Sequence, residues 1–533
     1  MRRRPTTPAA IVVAAVLTLL VTACGGGVQE ATSYTTLDRN GTFRMDLGSD
    51  PGSINPYEST GGLNRQVYAF AYDTLVGRAP SGEAVPQLAS SWKVTPKSVT
   101  YTLRDDVTCS DGTELKPSDV AADFDYIKNP KTLSPWVQFS VPVDYSVSAD
   151  DRAGTFTITS TTAFGSLLQG AGAVPIVCPS GLKNPQSIQH ATAGTGPYVI
   201  TKYVQGDHYE LAAREGYRWG PDGAATDEPG MPKKVEIAFV ANESTMANQL
   251  VAGEINAAQI TGPDRARLDE TRGIKRFDLP VIVGEINYNE AAGRVFRDTA
   301  VRKAATMSLN RRDLASVSTA RQGTLAKNLI AEAPVQCPGD ETTGSLPERD
   351  LDRARRLLDS AGWRPGPDGI RRKDGKPLTI KIIYQTGAPQ TESAVELTGQ
   401  YLKSIGIGTR LVGLTNAAFL ESLYTTADFD IFYSAINVDF PYMASTFFGG
   451  ATPADGGRNA GAIDNPEFAR LSAKAAAAPE KKSCPLWIAA HKALLSRADV
   501  VPISNGNRPF YTYKATLQTV GLFAVPTSIR VYR

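Results

Sequence analysis

The sequence has few of the residues that bind transition metals, and it carries almost no net charge. Its 533 residues include three histidines and five cysteines, and the formal net charge is +2 at pH 7. We find no H-E-x-x-H, no C-x-x-C, no calcium loop, no P-loop and no G-x-S-x-G nucleophile elbow. The near-neutral charge argues against nucleic-acid binding, and the missing motifs give no support for a resident metal or cofactor. We therefore expect no nucleic-acid partner, no metal and no cofactor.

No apolar run reaches the length of about 20 residues that a membrane-spanning helix needs. The mostly apolar run 11–23 is shorter, follows the basic residues Arg2–Arg4 and ends at Cys24. This pattern predicts a secretory signal peptide over 1–23. Val21–Cys24 resembles a bacterial lipobox, in which the thiol of the new N-terminal cysteine carries a diacylglycerol. We expect residues 24–40 to form a lipid anchor and flexible tether, and the alternative is a plain signal peptide with an incidental cysteine.

The remaining four cysteines form an even set in a chain that is expected to be exported. They are Cys109, Cys178, Cys337 and Cys484, and no two of them are close in sequence. An oxidising compartment favours disulfides, whereas the spacing does not suit a zinc ribbon or a redox motif. Four cysteines allow three connectivities, and the spacing does not choose among them.

Apolar periodicity predicts a chain in which strands and helices are mixed. Strands are indicated over 98–103, 155–159, 198–202, 209–212, 235–240, 378–384 and 429–435. Helices are indicated from Pro117 onward and over 245–252, 351–361 and 394–405. The proline- and glycine-rich stretch 220–233 is interpreted as a surface loop. No repeat and no long linker is visible, so we expect interwoven lobes rather than separate domains.

Several short motifs along the mature chain resemble one family in the order of that family. They are Pro86–Trp92, Thr100–Arg104, Asp111–Thr113 with Ser118–Val120, Gly194–Tyr198, Gly253–Asn256, Val301–Ala304 with Leu309–Arg311, and Leu357–Gly362. The chain resembles the family 5 extracellular solute-binding proteins of bacterial ABC importers, the peptide- and nickel-binding group. It departs from the family pattern at Cys109, Lys116 and Asn310, which are interpreted as structural positions.

The resemblance implies an α/β fold of the periplasmic-binding-protein-like type II, cluster C-like. Two large lobes would close on a ligand, and a smaller extra lobe would be added. Lobe I would combine 41–65, 189–288 and 503–533, lobe II would span 66–188, and lobe III would span 289–502. On these boundaries the expected disulfides, Cys109–Cys178 and Cys337–Cys484, each lie within one lobe.

The resemblance also implies a binding protein rather than an enzyme. The lack of a visible catalytic set favours the same interpretation. We expect a monomer, anchored to the outer face of the cytoplasmic membrane through Cys24, that delivers oligo- or dipeptides to membrane permease subunits. Two alternatives stay open. One is a binding protein for another solute, such as a sugar, an opine or a metal chelate, and the other is a scaffold or regulatory lipoprotein with the same fold.

In peptide-binding members, an aspartate in a short segment pairs with the α-ammonium of the ligand. Asp439 matches that aspartate, while Ile436 stands where the family has tryptophan. A carboxylate in a closed cleft makes a charge-assisted hydrogen bond to an ammonium group, which suits recognition of any free peptide N-terminus. Asn437 and Phe440 are candidate contacts beside it. Ser49 and Asp50, in the loop before Pro51, are weaker candidates for the same cleft.

Overall fold

The computed structural model describes residues 34–533, apart from 138, 165, 332–334 and 439. The predicted signal peptide, the predicted lipidation site Cys24 and the predicted ammonium ligand Asp439 lie outside the described residues. Among the described residues, no helix is both long and apolar enough to span a bilayer.

The described chain alternates strands and helices from end to end. The strands are β1 (Thr42–Leu47), β2 (Val76–Arg78), β3 (Ala84–Pro86), β4 (Ala89–Val94), β5 (Ser98–Leu103), β6 (Tyr145–Asp150), β7 (Thr155–Ser160), β8 (Tyr198–Val204), β9 (His208–Ala213), β10 (Lys234–Phe239), β11 (Ala257–Gln259), β12 (Ile274–Tyr288), β13 (Thr324–Leu325), β14 (Arg372–Lys373), β15 (Lys376–Pro377), β16 (Thr379–Gln385), β17 (Gly408–Leu414), β18 (Ile431–Tyr433), β19 (Val500–Tyr513), β20 (Ala515–Thr516), β21 (Thr519–Val520), β22 (Phe523–Ala524) and β23 (Arg530–Val531). The α-helices are α1 (Gly62–Tyr68), α2 (Pro117–Lys128), α3 (Leu167–Gly172), α4 (Pro179–Lys183), α5 (Glu243–Ala252), α6 (Arg265–Glu270), α7 (Thr299–Ser308), α8 (Arg311–Ser318), α9 (Leu351–Ser360), α10 (Pro389–Lys403), α11 (Asn416–Glu421), α12 (Pro441–Phe447), α13 (Pro466–Ala477) and α14 (Glu480–Arg497).

One mixed sheet of 11 strands organises most of the molecule. Its order is β17-β16-β18-β12-β19-β11-β1-β10-β9-β8, and β13 pairs with β19 beside this path. Strand β1 is parallel to β10 and β11, and β16 is parallel to β17 and β18. A separate antiparallel sheet has the order β4-β5-β7-β6. The alternation of burial along β5 shows that one face of this small sheet packs on the core.

The long antiparallel strands β12 and β19 join the two halves of the large sheet. Their pairing runs from Ile274 opposite Tyr513 to Asn287 opposite Val500, and the register shifts on both sides of Gly284. A Cβ atom at Gly284 would lie 2.5 Å from the hydroxyl oxygen of Tyr433, so this close approach requires glycine. This shift in register lies between the half of the sheet that holds β11 and the half that holds β18.

Two large apolar cores lie on this frame. One includes Phe43 on β1 and Phe124 on α2, and it connects the small sheet with one half of the large sheet. The other includes Val301 on α7 and Ile382 on β16, in the opposite half. Beside that second core, the fully buried Arg302 guanidinium contacts Glu290 Oε2 at 3.0 Å and Asp499 Oδ1 at 2.9 Å. A buried cation bridging two carboxylates ties α7 to the end of α14.

Most predicted elements are present, with shifted ends. Strand β5 has the predicted bounds, and α2 begins at Pro117 as predicted. Helix α10 begins five residues earlier than predicted, because its first turn from Pro389 is polar and gives no apolar signal. Strand β18 is shorter than predicted, since the chain leaves the sheet after Tyr433. The interpretation of 220–233 as a surface loop is wrong in part, because Met231 in this stretch is 1% exposed.

Both expected disulfides are formed in the structure. The Sγ atoms of Cys109 and Cys178 are 2.09 Å apart, and those of Cys337 and Cys484 are 1.97 Å apart. The first pair is fully buried, whereas both cysteines of the second pair are partly exposed. The two disulfides therefore differ in their exposure to solvent.

Candidate functional site

A cavity of about 220 Å³, here called the central cavity, lies where α1, β2 and the β21–β22 region meet residue Phe440. Its wall combines cationic and aromatic side chains, among them Arg65, Tyr68, Arg78, Trp136, Phe440 and Phe523. These residues come from widely separated parts of the chain. A concave site with apolar walls and a few charged groups is the usual form of a small-molecule site.

Two arginines of this wall lie over aromatic rings. Arg65 Cζ is 4.2 Å from the centroid of the Phe523 ring, and Arg78 Cζ is 4.7 Å from that of Phe440. The Phe440 ring also stacks on Tyr442, with centroids 5.6 Å apart. Each guanidinium lies close to the centre of a ring, so the wall of the cavity combines positive charge with apolar surface. Such a wall suits a ligand that carries both a carboxylate and an apolar part.

Asp73 braces the polar end of the central cavity. Its carboxylate accepts hydrogen bonds from Gln87 Nε2 at 2.8 Å, Tyr217 Oη at 2.9 Å and Trp219 Nε1 at 3.0 Å. Burial raises the pKa of Asp73 to about 6, although these donors favour the ionised form. These hydrogen bonds hold the Asp73 carboxylate in the wall of the central cavity. Sequence reasoning did not select Asp73.

The segment that was predicted to bind the peptide N-terminus lies between the central cavity and β12. Phe440 lines the cavity, as described above. The side chain of Asn437 instead faces Ile282 on β12, donating from Nδ2 to its carbonyl at 3.0 Å and accepting from its N–H at 2.8 Å. Asn437 therefore completes the backbone pairing of a strand rather than lining the cavity. The position of Asp439 lies outside the described residues.

The weaker candidates Ser49 and Asp50 lie beside the β8–β9 hairpin and do not line the central cavity. Asp50 accepts hydrogen bonds from Tyr203 Oη at 2.7 Å and from the backbone N–H groups of Gly206 and Gly52 at 2.8 Å each. Burial acts to raise the pKa of Asp50, but these donors outweigh it and the pKa is lowered. Asp50 thus fixes a loop to the hairpin, and Ser49 is exposed.

Aromatic and polar contacts join the residues around 135–169 to those around 336–458. The ring centroids of Phe164 and Tyr442 are 5.0 Å apart, and Gln336 Nε2 donates to Gln169 Oε1 at 2.9 Å. Arg458 donates to the carbonyl of Pro135 at 3.4 Å. These contacts hold residues of the two ranges together next to Phe440.

Glu285 is a buried acid next to the start of the segment that contains Asn437 and Phe440. Sequence reasoning did not select it. Its Oε1 accepts from Asn287 Nδ2 at 3.0 Å, and its backbone carbonyl accepts from Ser434 N–H at 3.2 Å. Glu285 is 0% exposed, and burial raises its pKa to about 8. The side chain is therefore mainly protonated at neutral pH. Within the part of the chain that the structure describes, no three His, Cys, Asp or Glu side chains gather into a metal site.

Comparison with known proteins identifies a family and several proteins to which this chain is similar. The family model of bacterial extracellular solute-binding proteins, family 5, matches residues 83–457. Protein XP55 of Streptomyces lividans is 26% identical over 378 residues, which cover 70% of this chain and 66% of that protein. The periplasmic murein peptide-binding protein MppA of Escherichia coli K12 is 24% identical over 513 residues, which cover 89% of each chain.

A solved structure gives the same result for the fold. The oligopeptide-binding protein AppA of Bacillus subtilis, in complex with a nonapeptide, superimposes with a TM-score of 0.74 at 19% identity. The match covers 93% of this chain and 100% of that one. The expected α/β binding-protein fold is therefore confirmed. Since the family model matches well over half of the chain, the protein belongs to the bacterial extracellular solute-binding proteins of family 5.

Proposed function

We propose that the protein is the extracytoplasmic receptor of an ABC importer and that it binds short peptides for delivery to a membrane permease. Family membership supports the receptor role, and the murein peptide-binding and oligopeptide-binding proteins described above support a peptide ligand. The proposed role is binding rather than catalysis.

The observation that carries this proposal is the composition of the central cavity. Arg65 and Arg78 offer positive charge to a ligand carboxylate, and Trp136 and Phe440 offer apolar surface to a side chain. The volume of about 220 Å³ is below the roughly 300–1,000 Å³ of typical ligand pockets. The cavity therefore favours a dipeptide or a similarly small ligand over a long peptide.

We further propose that Asp439 is the counter-charge of the peptide ammonium. Phe440, the next residue in the chain, lines the central cavity, which supports a role for this segment in ligand binding. An ammonium and a carboxylate at opposite ends of a short peptide would then meet Asp439 and the arginine-bearing wall. This arrangement would recognise the peptide termini without reading side chains.

Calorimetry with one tight-binding dipeptide, free and N-acetylated, tests the proposal. Removing one partner of a desolvated charge pair costs about 2–5 kcal/mol. We therefore expect Asp439→Ala to weaken binding of the free dipeptide by roughly 30-fold to several thousand-fold. Asp439→Asn should also weaken binding, because the shape remains but the charge is lost.

Acetylation should weaken binding to the wild type and cost much less in either variant, as in a double-mutant cycle. Asp374→Asn is the matched control, since Asp374 is an exposed turn residue with φ of 50° that asparagine tolerates. Equal affinities of the wild type for the free and acetylated dipeptides would refute the ammonium role.

Native mass spectrometry of gently purified protein separates the alternatives. A ladder of peptide masses supports the peptide receptor. One defined sugar, opine or metal chelate would replace it with another solute receptor, and a protein that never carries or binds a solute would favour the scaffold role.

The lobe boundaries and the lipid anchor are also proposals. We propose lobe I over 41–65, 189–288 and 503–533, lobe II over 66–188 and lobe III over 289–502. Each disulfide then joins residues of a single lobe, which leaves the connections between lobes free to bend. We propose anchoring to the outer face of the cytoplasmic membrane through lipidated Cys24, after removal of residues 1–23.

A further inference from the structure

A second cavity, here called the side cavity, has a volume of about 250 Å³ and is separate from the central cavity. Both cysteines of the Cys337–Cys484 bridge line it, together with the turn of the β2–β3 hairpin, Gln169 and Trp487. The disulfide therefore forms part of the wall of a space that a small molecule can enter. The proposed peptide-binding site lies in the central cavity and does not include the side cavity.

The two disulfides of the chain differ in access. Cys109 and Cys178 are each 0% exposed and belong to the large core with the small sheet. Cys337 and Cys484 are partly exposed as well as lining the side cavity. Attack on a disulfide needs direct access to sulfur, so a buried bridge reacts only after the fold opens around it.

The accessible bridge is connected to the wall of the central cavity. Pro441 lines the side cavity and directly follows Phe440. Trp487, three residues after Cys484, packs in one apolar cluster with Phe440 and Tyr442. On the other side of the bridge, Gln336 donates to Gln169 Oε1 at 2.9 Å. The Cys337–Cys484 bond thus holds a loop and a helix that both support this wall.

We propose that the Cys337–Cys484 disulfide is a thiol-reactive modification site that opens to low-molecular-weight thiols entering the side cavity. The thiolate sulfur of such a molecule attacks one Sγ and forms a mixed disulfide. The Cys337–Cys484 bond breaks, and its electron pair leaves on the other Sγ, which takes a proton from water. A second molecule of the same thiol can attack the mixed disulfide, releasing the small-molecule disulfide and the second protein thiol.

Opening this bridge removes the covalent link between the loop that carries Gln336 and α14. The loop then depends on non-covalent contacts, such as the one to Gln169, and the support of the Phe440 wall loosens. The inference goes beyond the proposed peptide binding and does not depend on it. A thiol would act on the protein whatever solute the central cavity takes.

The test uses the wild-type mature protein and reduced glutathione at increasing concentrations without oxygen. Samples are quenched with N-ethylmaleimide and mapped by mass spectrometry without reduction. We expect a glutathione adduct or free thiols at Cys337 and Cys484 to form at least about 10-fold faster than at Cys109 and Cys178, which are the internal control. Equal rates, faster opening of Cys109–Cys178, or no reaction at Cys337–Cys484 would each overturn the proposal.

Hydrogen exchange on the same samples tests the structural consequence. Amides of 335–346 and 440–447 should exchange faster once the bridge is open, while amides near Cys109 stay protected. Unchanged exchange in both segments after opening would show that the bridge does not support the wall, and it would overturn that part of the inference.

Discussion

Replacing Glu285 with glutamine should remove a pH dependence of stability that we expect of the wild type across the neutral range. The side chain is 0% exposed, and burial raises its pKa from the ordinary 4.5 to about 8 in the folded protein. The folded state thus binds more protons than the unfolded state between these values. Stability is therefore lost as the pH rises from 4.5 to 8.

The magnitude follows from the same two pKa values. Each unit of difference is worth about 1.4 kcal/mol, so the free energy of unfolding should fall by about 3–4 kcal/mol between about pH 5 and about pH 8 through this group alone. Glutamine keeps the size and the acceptor oxygen that Asn287 uses, but it does not titrate. Any constant cost of the amide is the same at both pH values and cancels in the comparison.

The assay is urea-induced unfolding of the wild type and Glu285→Gln at about pH 5 and about pH 8. Relative to the wild type, the variant should gain about 3–4 kcal/mol between the lower and the higher pH. Glu236→Gln is the control, because Glu236 lies on β10 in an exposed ion pair with Arg44 and should shift by less than about 1 kcal/mol. If the Glu285→Gln difference is no larger than that of the control, Glu285 does not titrate in this range and the reasoning is wrong.

Three further predictions concern the anchor and the frame. Cys24→Ala should block lipidation and lipoprotein processing, and identical partitioning of variant and wild type between membrane and soluble fractions would contradict the anchor. Arg302→Met should lower the free energy of unfolding by about 3–5 kcal/mol in urea titrations, because two buried carboxylates lose their buried cation and keep only the partly exposed Arg497; a loss below about 1 kcal/mol would contradict this. Gly284→Ala should cost about 1–3 kcal/mol through its clash with the Tyr433 hydroxyl, and adding Tyr433→Phe should restore part of the loss. No restoration in the double variant would assign the cost to the other close neighbour, Ser504 Oγ at 2.8 Å.

Local signals predicted the elements well where they were strong. The alternation in 98–103 and the proline at 117 gave the bounds of β5 and the start of α2, since both depend on neighbouring residues only. The motif order was sufficient for the family. The pairing of β12 with β19 joins residues more than 200 positions apart, and no local pattern specifies such a register.

The candidate site was predicted less completely, for a related reason. Phe440 was selected through its segment, and it lines the central cavity. Asn437 is held by the backbone of β12, and Asp50 by the β8–β9 hairpin, which are contacts that only the folded chain reveals. Arg65 and Arg78 carry no motif, because their role comes from rings that the fold brings over them from distant segments.

The position of β19 has a consequence for how the chain folds. This strand, residues 500–513, lies between β12 and β11 in the middle of the large sheet, although it follows all the other strands of that sheet in the chain. Until it emerges, β12 and β11 have no partner on that side, and the two halves of the sheet have no shared strand pair. The chain therefore cannot complete its native sheet before residues 500–513 are available to pair. Final folding thus depends on pairings of high sequence separation, which form slowly.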